Sequence, residues 1–255
     1  MVGLDSLRGR KNNIHAPFVH DWLKMPVAVR EEVGEKRFYR TPEGNLYPSV
    51  TTFLGAFEDD PEWFERWAKK LGGIDKANAE SQRCCDRGTA VHKALEEMIL
   101  NRPDPHVHAG IYRNMFFQLA NVMRKYLSKV CCLETPLYSD KLMLAGTVDC
   151  AGIFDGMMSV VDFKTANDLK RIDWIEDYFL QATAYALMLE HHFNIEVPQI
   201  VIAIAVEKEE RPQIIRRMKH EYEKTLWKKV EEFHKMPEWY PEAPAPSGSL
   251  LGFFS

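Results

Sequence analysis

Cysteine is scarce in this chain of 255 residues and follows no recognisable pattern. The five cysteines form two adjacent pairs and one single residue, which fits neither a C-x-x-C zinc site nor the disulfide framework of a secreted protein. We therefore expect reduced thiols that serve as packing residues. They are Cys84, Cys85, Cys131, Cys132 and Cys150.

Long hydrophobic runs and an excess of basic residues are also missing. No apolar run approaches the roughly 18 residues that a membrane helix needs, so we expect no membrane partner. The chain has 33 Lys and Arg against 37 Asp and Glu, a net charge of -4, so nucleic-acid binding would require a local basic surface. The phosphate-binding pattern G-x-x-x-x-G-K-[ST] is absent, and we expect no nucleotide cofactor.

The composition is that of an ordinary globular protein, with 45% apolar and 27% charged residues. The spacing of apolar residues predicts helices from about Lys76 to Leu100 and from Ile111 to Leu127. It then becomes strand-like, and two strands meet at Asp155-Gly156, a pair typical of tight hairpin turns. A helix and the buried strand Gln199–Val206 follow, an order that predicts a right-handed crossover. We predict an α/β fold, a central mixed β-sheet flanked by helices with an N-terminal helical addition.

Three regions are predicted along the chain. Residues 1–46 form a loosely packed lead-in that ends in the turn-forming segment Thr41–Asn45. Residues 47–236 form one domain, in which an early helix ends at Gly72-Gly73. Residues 237–255 are rich in Pro, Gly and Ser and form a flexible tail with an apolar end. That end either packs on its own domain or binds a replication or single-strand-binding protein.

Charged residues gather on the central hairpin, which carries Asp149 on one strand and Asp162 and Lys164 on the other. The tight turn brings the two acids close together, and strand alternation places Asp162 and Lys164 on one face with Phe163 on the opposite face. Such a cluster is costly inside an apolar sheet unless something compensates for it. A divalent cation would do so, and so would a structural salt bridge to Lys164; the hairpin alone leaves both open.

Two helices add polar side chains at helical spacing. His92 and Glu96 lie one turn apart beside the apolar stripe of the long helix, and Gln181 and Tyr185 repeat this spacing on the later helix. Either pair by itself is weak evidence, because a single histidine beside an apolar stripe also fits a buried core residue.

Taken in order, these segments resemble the RecB-like, histidine-type branch of the PD-(D/E)XK nucleases. Within it, they are most similar to the group formed by the mitochondrial genome maintenance exonucleases and their phage and bacterial relatives. The resemblance covers residues 47–206 and implies a restriction-endonuclease-like core. Its segments are Tyr47-Pro48-Ser49-Val50-Thr51, Glu65-Arg66-Trp67, Gly88-Thr89-x-x-His92, Glu134, Gly146-Thr147-Val148-Asp149, Asp162-Phe163-Lys164 and Gln181-x-x-x-Tyr185.

The resemblance implies a role for each matching residue. Lys164 would orient or deprotonate the attacking water, and Gln181 and Tyr185 would brace the site or touch the DNA backbone. Ser49 and Thr51 match a phosphate-contacting segment, although small hydroxyls after a proline are also common in turns. The metal would be Mg²⁺ or Mn²⁺. Its ligands would be His92, Asp149, Asp162 and the backbone carbonyl of Phe163, with Glu134 as a less certain further ligand.

The implied function is a metal-dependent DNA exonuclease that acts on single-stranded DNA or frayed ends in replication, recombination or repair. A structure-selective endonuclease and a non-catalytic DNA-binding relative are the alternatives. Some relatives carry a four-cysteine iron–sulfur cluster with three cysteines beyond the core, which is excluded here because no cysteine follows Cys150. DNA binding would use basic residues near the early helices, with Trp63 and Trp67 as stacking platforms unless they are core residues. These basic residues include Lys69, Lys70 and Arg87.

Location follows from the first thirty residues and from the resemblance. The segment mixes Asp5 and Asp21 with basic residues and has no apolar stretch typical of a signal peptide. We therefore expect a cytoplasmic protein of a bacterium or a phage-infected cell, rather than a mitochondrial one.

Overall fold

The structure is a computed structural model that describes residues 16–24, 26–34, 36–57, 60 and 62–239. The strands are β1 (Val29–Val33), β2 (Lys36–Arg40), β3 (Leu46–Pro48), β4 (Leu127–Ser139), β5 (Leu144–Phe154), β6 (Met157–Ala166), β7 (Gln199–Val206) and β8 (Gln213–Met218). The helices are α1 (Val50–Gly55), α2 (Trp63–Leu71), α3 (Ile74–Ile99), α4 (Arg113–Tyr126), α5 (Glu176–Phe193) and α6 (His220–Phe233). Short 3-10 helices cover Pro105–Tyr112, Ile172–Trp174 and Pro237–Trp239.

The central sheet has five strands in the order β4-β5-β6-β7-β8. Only the β6–β7 pair is parallel among these, and α5 makes the crossover between its strands. The hairpin turn between β5 and β6 has positive φ at both Asp155 and Gly156, as a two-residue turn of this kind requires. The predicted α/β fold, with a mixed sheet flanked by helices, is confirmed.

Both faces of the sheet are covered, which explains the continuous apolar sequence of β7. All eight residues of β7 are buried. Ile200, Ile202 and Ile204 belong to the core cluster that includes residues of α1, α5 and α6. The alternating residues Val201, Ala203 and Ala205 belong to a second cluster, shared with α3 and α4. A strand covered by helices on both faces needs no polar side.

The early helices are confirmed close to their predicted bounds. α2 ends where Gly72 adopts a left-handed conformation with φ 88, which glycine adopts at low cost. α3 follows directly and runs for 26 residues across one face of the sheet. Among the helices that the structure describes, none combines the length and apolarity needed to cross a bilayer.

A second, three-stranded sheet precedes the early helices, in the order β1-β2-β3. The turn predicted at Thr41–Asn45 joins β2 to β3, closed by a hydrogen bond of 2.8 Å from the Thr41 amide to the Asn45 carbonyl. The prediction of a loosely packed lead-in is wrong for this part of residues 1–46, because Phe38 and Tyr39 are buried. Most of the predicted tail, from residue 240 onward, lies outside the described residues.

Candidate active site

The ladder between β5 and β6 opens at the predicted acidic cluster. Backbone pairing of the two strands ends at Cys150 and Val161. Beyond this point a side chain takes the place of the backbone acceptor, since Asp149 Oδ2 accepts a hydrogen bond of 2.7 Å from the Phe163 amide. This hydrogen bond fixes the Asp149 carboxylate at the point where the pairing of the two strands ends.

Three side chains from three elements converge at this opening. His92 of α3, Glu134 of β4 and Asp149 of β5 offer potential ligand atoms that all lie within 4.8 Å of one another. The Nδ1 atom of His92 lies 3.7 Å from Glu134 Oε1 and 3.7 Å from Asp149 Oδ1. This arrangement brings together three of the residues that the resemblance implies as metal ligands.

The other ring nitrogen of His92 is fixed by the backbone of β6. His92 Nε2 donates a hydrogen bond of 2.9 Å to the carbonyl oxygen of Phe163, because a carbonyl can only accept. The Phe163 carbonyl, expected as a ligand, therefore orients the imidazole and directs Nδ1 toward the two carboxylates. Such a contact is typical of histidines that bind metals.

Glu134 reaches the cluster through an unusual backbone conformation. Its φ is 43, in the left-handed region, although it lies within a strand. The hydroxyl of Thr135 stabilises this kink by accepting from the Leu133 amide at 3.1 Å and donating to the Leu133 carbonyl at 3.0 Å. A residue with a Cβ in this region costs on the order of 1 kcal/mol, and such strain often marks a functional site.

Beside the cluster lies a row of polar groups that begins with Asp162. Its carboxylate is 2% exposed and its Oδ2 lies 2.6 Å from Lys164 Nζ. Lys164 also donates a hydrogen bond of 3.1 Å to Gln181 Oε1, and Gln181 Nε2 donates to the Tyr185 hydroxyl at 3.3 Å. The structure therefore brings Asp162, Lys164, Gln181 and Tyr185 into one connected network.

Burial and neighbouring charges act against each other on the pKa values of His92, Asp149 and Asp162. Burial raises the pKa of Asp162 to about 6, although the Lys164 ammonium acts against it. Burial likewise raises the pKa of Asp149, against the charges of His92 and Lys164. For His92, burial alone would lower the pKa, but Asp149 and Glu134 outweigh it and raise the pKa to about 9. Burial thus disfavours the charged form of both carboxylates, and a bound cation would favour it.

Gly146 is required by the packing of Tyr185. A Cβ atom at position 146 would lie 2.7 Å from the Tyr185 hydroxyl oxygen and 2.8 Å from its Cε1. Tyr185 is itself buried, so its ring has little room to move. The glycine thus allows the tyrosine of the polar network to lie directly on β5.

A contact between two hydroxyl groups, one on β2 and one on β5, was not predicted. The Tyr39 hydroxyl of β2 lies 3.1 Å from Thr147 Oγ1, two residues before Asp149. No signal in the sequence connects Tyr39 to the site, since 108 positions separate it from Thr147. Strand alternation places Thr147 on the same face of β5 as Asp149, so its location near the site could have been predicted from the sequence.

The predicted DNA-contacting residues lie in different environments. Lys69 and Lys70 are exposed at the end of α2, and Trp63 is 49% exposed, whereas Trp67 is half-buried. The expectation for Arg87 needs correction: its side chain is 2% exposed and pairs with Glu207 at 2.7 Å, so its charge is already neutralised in the interior.

The predicted phosphate-contacting hydroxyls lie at the start of α1. The buried Ser49 caps this helix by accepting from the Thr52 amide at 2.9 Å, and its Oγ lies 2.8 Å from Thr51 Oγ1. This is the turn role that was the alternative for Ser49, whereas Thr51 is exposed. Ser49 also forms a β-bridge with Ala145, which places the segment beside β5.

Comparison with known proteins supports a relationship to nucleases. The chain is 27% identical over 174 residues to "Mitochondrial genome maintenance exonuclease 1" of Mus musculus, covering 63% of this chain and 50% of that protein. It is 25% identical over 172 residues to the protein of the same name from Homo sapiens, covering 62% and 49%. The chain thus spans about half the length of the curated relatives it matches. No family model matches it.

Proposed function

We propose that this protein is a metal-dependent DNA exonuclease that hydrolyses single-stranded DNA or frayed ends. The observation that carries the proposal is the convergence of His92, Glu134 and Asp149 beside the Lys164–Asp162 pair. The similarity to two proteins named as exonucleases supports the nuclease class. Phosphodiester hydrolysis needs a positioned nucleophile and positive charge near the developing oxyanion, and this cluster offers groups for both.

The donor set fits a small divalent cation. His92, Glu134 and Asp149 would hold it, and Asp162, which pairs with Lys164 at 2.6 Å, would be a further ligand. Carboxylate oxygens suit Mg²⁺, and the imidazole nitrogen favours Mn²⁺ in addition. When bound, the cation supplies Lewis acidity to the phosphate and lowers the pKa of a water molecule.

Lys164 would orient or deprotonate the attacking water. Burial would lower the pKa of Lys164, but Asp162 and Asp149 outweigh this and raise it. In its charged form the Nζ atom can donate a hydrogen bond to a water or phosphate oxygen. Gln181, which accepts from the same nitrogen, restricts the position of the ammonium group.

The proposed substrate class rests on exposed residues of α2. The exposed Lys69 and Lys70 offer positive charge on α2, and the exposed face of Trp63 can stack on an unpaired base. These residues favour a strand with accessible bases over a closed duplex. We propose that α2 and the adjoining part of α3 guide such a strand.

End-labelled linear and circular single-stranded DNA, each with Mg²⁺ or Mn²⁺, test this function. We expect linear DNA to be degraded from its ends, and Lys164→Ala to lower the rate by orders of magnitude while the protein stays folded. Lys208→Ala serves as the matched control, because Lys208 pairs with Asp168 at the surface. Circles degraded as fast as linear DNA would indicate an endonuclease, and no cleavage of any DNA would indicate a non-catalytic relative.

The ligand role of His92 is tested separately by calorimetry with Mn²⁺. His92→Ala should weaken Mn²⁺ binding with little loss of thermal stability, since the ring is partly exposed and its Nδ1 faces the carboxylates. A core histidine would give the opposite result, a lower melting temperature with unchanged affinity, and would remove His92 from the ligand set.

A further inference from the structure

The N-terminal sheet places one hydroxyl group beside the candidate active site. Tyr39 of β2 is 2% exposed, and its hydroxyl lies 3.1 Å from Thr147 Oγ1. This contact joins the three-stranded sheet to β5 of the central sheet.

Thr147 lies on the same face of β5 as Asp149. Side chains two residues apart share one face of a strand, so Thr147 follows Asp149 on the side that carries the metal-ligand candidates. The separation along the strand is about 7 Å, close to the distance between successive phosphates of an extended single strand. Backbone pairing to β6 has already ended at this position, and the Thr147 side chain is partly exposed.

The hydrogen bond between the Tyr39 and Thr147 hydroxyl groups uses only one of their two protons. Two hydroxyl groups carry two protons, and the contact between them uses one. No further hydrogen bond of either hydroxyl is found within the described part of the chain. Since Tyr39 is the more buried of the two, donation from Tyr39 to Thr147 Oγ1 leaves the free proton on Thr147, which is partly exposed.

We propose that Thr147 donates a hydrogen bond to the DNA phosphate next to the scissile one, and that Tyr39 is a positioning residue that orients the Thr147 hydroxyl. This inference rests on the proposed nuclease function and adds a phosphate subsite to it. The contact needs no positive charge, so it can hold a polyanion in a chain whose net charge is -4. It also gives the N-terminal sheet a role in substrate binding.

Single and double hydroxyl deletions test the inference. Binding of a fluorescent single-stranded oligonucleotide is measured by anisotropy in EDTA, and steady-state cleavage is measured with Mg²⁺. Thr147→Val should weaken binding about tenfold, as expected for a hydrogen bond to a charged group, and Thr147→Ser should restore most of it. Tyr39→Phe should weaken binding about threefold. Both changes should raise KM and leave kcat within about twofold of the parent.

The double variant separates positioning from direct contact. If Tyr39 acts through Thr147, Tyr39→Phe should have no effect in the Thr147→Val background. The inference would be overturned if the effects of Tyr39→Phe and Thr147→Val on binding multiplied in the double variant. A KM equal to that of the parent in either single variant would also overturn it. Tyr47→Phe is the matched control, because Tyr47 pairs with Tyr39 across the sheet but donates its hydroxyl to Asp140 at 2.7 Å.

Stability and basal activity complete the test. Tyr39→Phe and Tyr47→Phe should change the melting temperature similarly, and only the first should raise KM. A lower melting temperature with unchanged KM would make the Tyr39 contact purely structural and would refute the proposal. Parent protein that neither binds nor cleaves DNA would instead overturn the proposed function, and this inference with it.

Discussion

Replacing Glu207 should destabilise the fold more than replacing the arginine with which it pairs. Arg87 is 2% exposed and lies 2.7 Å from Glu207, whose side chain is 36% exposed and also lies 2.8 Å from Arg83. Glu207→Gln leaves a buried cation with neutral partners such as Asn167. Arg87→Met, in contrast, leaves a carboxylate that still contacts water and Arg83.

The size of the effect follows from the exposure of the pair. Two unit charges about 4 Å apart interact by about 4 kcal/mol at an effective dielectric constant near 20, and partial exposure of Glu207 reduces this value. We expect Glu207→Gln to lower the free energy of unfolding by about 3 kcal/mol and Arg87→Met to lower it by about 1 kcal/mol. The double replacement should cost no more than Glu207→Gln, since no buried charge remains.

Urea unfolding followed by tryptophan fluorescence measures these differences. Arg171→Met is the control, because Arg171 and Asp173 form a pair with side chains 65% and 58% exposed, and its loss should cost less than about 0.5 kcal/mol. Equal costs for Arg87→Met and Glu207→Gln, or additive costs in the double variant, would refute the reasoning. The pair ties α3 to the end of β7, so Glu207→Gln should also weaken Mn²⁺ binding at His92.

Three further predictions concern other parts of the molecule. Gly146→Ala should lower the free energy of unfolding by about 1–3 kcal/mol, measured by urea unfolding, because the new Cβ would contact Tyr185; unchanged stability would mean that the tyrosine moves freely. Burial lowers the pKa of His191 from 6.5 to about 4, so stability present above pH 6.5 should be lost as the pH falls toward 4. His191→Gln should flatten this decline in melting temperature. An unchanged decline between pH 6.5 and 4 would show that His191 does not cause it. Charge reversal of Lys69 and Lys70 to Glu should weaken oligonucleotide binding and flatten its dependence on salt; an unchanged slope would place the DNA path elsewhere.

Local sequence was sufficient to predict the central hairpin and the early helices. The Asp155-Gly156 pair fixes the turn, and strand alternation then places Asp162 and Lys164 on one face. Gly72 ends α2 because it reaches the left-handed region easily. These features depend on interactions between residues close in the chain, which the order of residue types specifies directly.

The details of the site were decided by tertiary structure. Whether His92 fills the core or faces Glu134 and Asp149 depends on the Phe163 carbonyl, 71 positions away, which fixes the ring. The buried pair of Arg87 likewise exists only because α3 lies against the end of β7, so its sequence position among basic residues was misleading. Tyr39 reaches the site because a separate sheet packs on β5. Sequence periodicity specifies the face on which a side chain lies, whereas its partner depends on how the elements pack together.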